Sequence, residues 1–390
     1  MDDPQKLDAH RILTLLGALR EASKDLRTNP IPFLHRTDPK AAIEAILELE
    51  TKAVAIFLAD PNLHKLCELL CNLRALVEKL QKHQGFGLRS LLHRQIANYK
   101  ISQVAYAIES EIQAYVDRLT IKNLVKSLNE STSEDQKVKA LIEFTERLSQ
   151  GFDIDFQDSI LRAKVFTILE HILCDSESSS SKRVREHAAM AIDALVRFNK
   201  NVFVGLVLMG STIKALIAMA SSCSIQVLSS LIRFIRTPLV DELFSNGEIP
   251  RIINLLCSED LSIQVATLDC VLELAYIGRK EVIEAMLEEE LIKKLMHLQR
   301  MERANGLIEM DSYDALETES EYKVEIREKG TFPFASCVSR FAIQLEVGEG
   351  LCAEEKRELK LEILRKVKEA SESDAEVATI TAEILWGSSP

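Results

Sequence analysis

The tetrapeptide Ser-Ile-Gln-Val occurs twice in this chain, at Ser224–Val227 and Ser262–Val265, thirty-eight residues apart. A short apolar stretch precedes each copy (Ile213–Met219 and Ile249–Leu256), and a longer apolar-periodic run follows each (Leu228–Ile235 and Leu268–Ala275). A helical unit that recurs near forty residues cannot bury its apolar face alone, so copies must stack into an α-solenoid. Such an array encloses no pocket by default. It offers a long surface suited to holding another polypeptide.

Composition narrows the classes further. Apolar residues make up 47% and charged residues 28% of the 390, the balance of a folded soluble protein. Aromatics are only 5%, while Leu, Ala and Glu, which lose little side-chain freedom in a helix, abound, so an all-α fold is expected. The formal charge is −12, and fourteen carboxylates fall between Glu281 and Lys329. A phosphate backbone needs a basic face, so nucleic acid is excluded as the main partner. The eight cysteines have no paired spacing and mostly fall in apolar runs, as Cys257 and Cys270 do. That is the pattern of reduced thiols inside a cell. The start, Met1-Asp-Asp-Pro-Gln-Lys, has no signal-peptide pattern, and Asp2 excludes myristoylation. No apolar run approaches the roughly twenty residues that span a bilayer. The expectation is a protein of the cytoplasm or the nucleus with no integral membrane segment.

Four regions follow from the punctuation of the chain. Residues 1–121 read as a four-helix bundle, with helices at 7–26, 39–59, 63–80 and 88–119. Asn29-Pro30-Ile31-Pro32 ends the first, Pro39 and Pro61 open the next two, and Gln84-Gly-Phe-Gly87 precedes the fourth. Repeats are expected over 122–300, with Val138–Leu148 and Val184–Leu195 as further long helices. Residues 301–333 read as an acidic, flexible insertion. Residues 334–390 read as a helical cap that completes the solenoid, its last helix opened by a capping box in Ser373-Asp-Ala-Glu376.

The segment Ser245-Asn-Gly-Glu-Ile-Pro-Arg-Ile-Ile-Asn-Leu-Leu, continuing through Ser262-Ile-Gln-Val to Ala275, resembles an armadillo repeat. In that superfamily a glycine turn leads into a short second helix, and a polar turn leads into a long third helix that fills the core. Gly247 stands at the turn, and Ile263 and Val265 begin the third helix. The likeness covers about residues 124–299 directly. A bundle followed by such repeats is similar to plant armadillo-repeat proteins, some of which carry a U-box between the two parts, for which there is no room here. The nuclear-import adaptors of the superfamily hold basic peptides on a tryptophan and asparagine ladder. Ala194, Arg233 and Glu273 fall at the asparagine position and the one tryptophan, Trp386, lies outside the array, so that mechanism is not implied. Catenin-type members set basic rows against acidic ligands. Arg197, Lys200, Arg233 and Arg236 form a candidate basic stretch of that kind, interrupted by Glu273, with ordinary solvated helix charges as the alternative.

Constellations for catalysis do not assemble in the sequence. His64, Cys67 and Cys71 share a helical face at metal-ligand spacing, but the leucines on that face favour core packing. Gly85-Phe-Gly87 and Gly348-Glu-Gly350 follow no strand, Met209-Gly-Ser-Thr-Ile-Lys214 has phosphate-loop residue types in the wrong order, and no Gly-x-Ser-x-Gly occurs. The serines at 176–181 are a candidate for phosphorylation, and Arg89, His93, Arg94 and Lys100 a candidate membrane contact. The resulting expectation is a non-enzyme without cofactor or metal, a scaffold or adaptor that holds a protein partner on the concave face of the solenoid. The alternatives are an accessory component of ubiquitin transfer, related to the U-box armadillo proteins, and a membrane-associated trafficking adaptor. The oligomeric state is not legible.

Overall fold

The computed structural model describes residues 12, 14–24, 63–82, 88–130, 133–175, 181–313 and 332–386. The helix expected over 39–59 and most of the acidic insertion lie outside them. All regular structure among the described residues is helical. The chain divides into two compact units, Met1–Asn123 with Asp153–Ala163, and Leu124–Phe152 with Lys164–Pro390.

The first unit contains a helix at 14–24, His64–Lys82, the greater part of Leu88–Asn129, and Ile154–Arg162. Its core follows helical period. Leu66, Leu70, Leu73 and Val77 of His64–Lys82, with Leu63 just before it, cluster with Ile101, Ala105, Ile108 and Ile112 on the long helix, and Leu16 and Leu19 join them. Each fully buried leucine or isoleucine stabilises the unit by about 2 kcal/mol. The long helix runs past the expected end at Leu119 to Asn129, because nothing between Thr120 and Leu128 breaks its period and Leu124 and Leu128 are buried. Ile154–Arg162 was expected within the repeats, yet it belongs to this unit, where Asp153 caps it by accepting from the Phe156 N–H.

The second unit is a stack of three-helix repeats. After Glu134–Ser149, repeat I supplies Val165–Cys174 and Lys182–Phe198. Repeat II is Lys200–Met209, Thr212–Met219 and Ser222–Ile235. Repeat III is Thr237–Ser245, Ile249–Asn254 with a 3-10 turn at Leu255–Cys257, and Leu261–Ile277. Repeat IV is Lys280–Glu288, Leu291–Tyr313 and Cys337–Val347. Two further helices, Ala353–Ala370 and Asp374–Trp386, follow. The third helices pack one on the next in chain order, from Glu134–Ser149 through Lys182–Phe198, Ser222–Ile235 and Leu261–Ile277 to Cys337–Val347. Small residues permit the close approach: Ala188, Ala189 and Ala191 are fully buried on the first face of this stack. The helix Leu291–Tyr313 runs into the stretch expected, from residue 301, as a flexible insertion.

Local chemistry sets the turns. Gly247 has φ 68°, a left-handed geometry that L-residues rarely adopt, and the Glu248 N–H closes the turn on the Leu243 carbonyl at 2.9 Å. Between repeats I and II the second helix of one caps the second helix of the next. Glu170 Oε1 accepts from the Ser211 N–H (2.7 Å), the Thr212 N–H (3.1 Å) and the Thr212 hydroxyl (2.9 Å). A Cβ on Gly210 would lie 2.1 Å from that oxygen, which is why the phosphate-loop-like stretch carries glycine. Its anion is an internal glutamate.

The last helix is held by Arg300, which donates from Nε and Nη2 to both oxygens of Glu376 (2.7 and 2.9 Å) and from Nη2 to the Ala370 carbonyl (2.8 Å). The expected capping box forms only by half. Ser373 Oγ accepts from the Glu376 N–H, but the Glu376 carboxylate takes the Glu372 N–H, because Arg300 draws it away from Ser373.

Candidate partner-binding face

Burial fixes the register of the third helices. Val184, Ala188, Ala189, Ala191, Ile192 and Leu195 of repeat I correspond, at forty residues, to Ser224, Leu228, Ser229, Leu231, Ile232 and Ile235 of repeat II. From repeat II to III the offset is thirty-nine, matching Leu228, Leu231, Ile232 and Ile235 to Thr267, Cys270, Val271 and Leu274. From III to IV it is seventy-one, matching Cys270, Val271 and Leu274 to Phe341, Ala342 and Leu345. The excess falls between the second and third helices of repeat IV, where the acidic stretch stands in the sequence.

The twin tetrapeptides are therefore one residue out of register. Ser224 and Ile225 are buried, and Ser224 completes a capping box with Ser221. In the second copy Asp260 is the cap, accepting from the Ser262 N–H at 2.8 Å, and Ser262 is exposed. Gln226 is exposed, whereas Gln264 donates to the Ser258 carbonyl at 2.7 Å. The same shift separates the presumed ladder positions. Ala194, Phe234 and Glu273 are equivalent, and Arg233 stands in line with Asp193 and Leu272.

The solvent side of the stacked third helices carries a row of charged groups that pair across repeats. Arg197 Nε donates to Asp193 (2.8 Å) and its Nη2 to Ser230 Oγ (2.7 Å), and the guanidinium lies 4.8 Å from the Phe234 ring centroid. Ser230 in turn donates to Asp193 Oδ1 at 2.5 Å. Arg233 donates from Nε (2.9 Å) and Nη2 (2.5 Å) to Glu273 Oε1. Arg236 Nη2 reaches Glu349 at 3.3 Å, and the Tyr276 hydroxyl donates to the same carboxylate oxygen at 3.2 Å. Arg340 stands 4.0 Å from Asp269. Desolvation raises the Asp269 pKa above its ordinary value, against the pull of Arg340 and Arg233. The Glu273 hydrogen bonds hold Arg233 more firmly protonated.

Of the residues singled out by sequence, Arg197, Arg233 and Glu273 lie together on this face, with Arg236 at the end of its helix. Lys200 is exposed on the following helix and makes no part of the row. Arg233 and Glu273, expected as a basic run and its interruption, are one ion pair. Asp193, Ser230, Asp269, Tyr276, Arg340 and Glu349 were missed because the period alone does not reveal which residues face each other across a forty-residue step. The signal that was present is Gly348-Glu-Gly350. A Cβ on Gly348 would lie 2.4 Å from the Tyr276 carbonyl, and one on Gly350 2.1 Å from that of Gly278. The Glu349 N–H donates to the Tyr276 carbonyl at 2.8 Å. The glycines seat Glu349 against the end of the preceding third helix.

Elsewhere, His64 and Cys71 are exposed and Cys67 is half-buried. No group of three or more metal-ligating side chains converges among the described residues. A polar pocket of about 280 Å³ in the first unit is lined by Arg20, Tyr106, Gln113, Asp117, Asp155 and neighbouring residues. Among the described residues no single helix is long and apolar enough to cross a membrane.

No protein-family model matches the chain, and no curated protein matches it. Among solved structures, it is similar to the designed armadillo repeat protein YIII(Dq)4CqI at 16% identity, over 68% of this chain and 98% of that one, with a TM-score of 0.42. A designed armadillo repeat protein in complex with the peptide (KR)4 gives 17% identity over 68% and 97%, with a TM-score of 0.39. An engineered protein gives 14% identity over 97% and 98%, with a TM-score of 0.40. The repeat architecture described above rests on this chain's own packing.

Proposed function

We propose that the second unit is a non-catalytic scaffold that holds an extended segment of a protein partner on the solvent side of its stacked third helices. One observation carries this reading: four successive third helices, in a register set by their buried residues, present a single row of paired polar side chains from Asp193 to Arg340. Extended segments are read by contacts spread over several repeats of such arrays. Arg197, Arg233, Arg236 and Glu273 belong to the proposed contact row, and Lys200 flanks it. The buried thiols are packing groups in this reading, since burial pushes Cys270 and Cys337 to about 12, far from a reactive thiolate.

The test is site-specific photo-crosslinking. A photoreactive side chain at position 230 is expected to capture a discrete partner, and the same group at Lys214, exposed on the second helix of repeat II, is expected to capture none. Equal capture from both positions would end the proposal.

A further inference from the structure

The expected basic row is electrically closed. Arg197, Arg233, Arg236 and Arg340 stand against Asp193, Glu273, Glu349 and Asp269, four positive groups against four negative ones. The two innermost carboxylates are the more sunken: Asp193 and Glu273 are 15% and 21% exposed, whereas Arg197 and Arg233 are 51% and 63% exposed. Each carboxylate grips its arginine from one side only. Arg197 and Arg233 spend Nε and Nη2, and Arg236 spends Nη2. Among the described residues, Nη1 of all three makes no hydrogen bond. Three guanidinium groups are thus fixed in place with a spare donor each, in a row whose charges balance.

We infer that this row reads the main-chain carbonyl oxygens of an extended, uncharged peptide segment rather than acidic side chains. This deepens the scaffold reading and rests on it. An incoming carboxylate would meet Asp193, Glu273 and Glu349 as like charges beside every arginine it approached. A carbonyl oxygen accepts the spare N–H without that repulsion.

The backbone of Arg236 points to the same role. It has φ 69° and ψ −139°, a region that glycine occupies freely and other residues essentially never do. A glycine would link Ser222–Ile235 to Thr237–Ser245 without strain. The chain instead carries an arginine there, half-exposed, steadied by Glu349. Such an outlier points to a use for the side chain that a glycine would not serve.

The experiment is selection of binders to the full-length protein from a random-peptide display library. Anisotropy with the labelled winners at low and high salt follows, against wild type, Arg233→Met and Arg236→Gly. The inference expects winners of near-zero net charge and a salt effect below about threefold. It also expects weakening of at least about tenfold in either variant, while Arg236→Gly raises the unfolding temperature. Acidic winners with steep salt dependence, still weakened by Arg233→Met, overturn the carbonyl inference and leave the scaffold reading standing. Binding untouched by both variants, or no enrichment at all, overturns the two together.

Discussion

Removing the Glu170 carboxylate should loosen repeat II locally. Its single Oε1 serves two backbone N–H groups and a hydroxyl at the start of Thr212–Met219, so Glu170→Ala orphans all three. A lost helix cap costs about 1 kcal/mol. The favourable placement of a negative charge at a helix N-terminus adds about 0.5 kcal/mol. The Thr212 hydroxyl belongs to a fully buried residue, and stranding it adds about 1 kcal/mol, while exposed Ser211 recovers its bond from water. The total of about 2.5 kcal/mol corresponds to about 60-fold faster opening. Hydrogen exchange should show that loss of protection in Thr212–Met219, with Asp374–Trp386 unchanged. Glu170→Gln keeps an acceptor and should cost about 1 kcal/mol. Gly210→Ala displaces the same oxygen, so combining it with Glu170→Ala should cost less than the two losses added. Unchanged protection in Glu170→Ala, or an equal loss at the far helix, would show that this carboxylate does not cap the helix.

Other outcomes follow from the same geometry. Gly350→Ala places a Cβ against the Gly278 and Ile277 carbonyls, and backbone has nowhere to yield, so thermal unfolding should shift down by a loss of about 2–3 kcal/mol. Arg300→Met should release Asp374–Trp386 by about 2 kcal/mol, seen as faster exchange confined to that helix. The Arg300 hydrogen bonds hold the Glu376 carboxyl below its ordinary value of 4.5. Its stabilisation is therefore complete above that value and lost as pH falls through the lower folded value, so exchange in this helix should accelerate there in the wild type and not in Glu376→Gln. Thiol labelling of the native protein should mark exposed Cys71, Cys257 and Cys352 and spare Cys270 and Cys337 until unfolding.

The helical class, the repeat period and the third helices were legible because apolar periodicity survives in a degenerate array. Gly247 was legible because the left-handed turn it forms admits few residues other than glycine. What the sequence concealed were the pairings. Arg233 and Glu273 look like unlike neighbours in a list and become one ion pair only when a forty-residue step stacks their helices. The twin tetrapeptide misled by one residue because its two copies start from different caps, Ser221 with Ser224 in one and Asp260 in the other. Ile154–Arg162 joined the first unit because Phe156 and Ile160 are fully buried there, a choice that its own amphipathic pattern cannot make.

The scaffold proposal stands on the third-helix face being the surface that holds the partner. Hydroxyl-radical footprinting of the full chain, alone and saturated with a selected peptide, reads that surface residue by residue. Met190, Phe234 and Tyr276 lie on that face, while Met209, 91% exposed, and Phe244 lie on first helices. Protection of the first three is expected, with Met209 and Phe244 oxidised as before. Protection of Met209 and Phe244 with the third-helix residues unchanged would place the partner on the first helices instead.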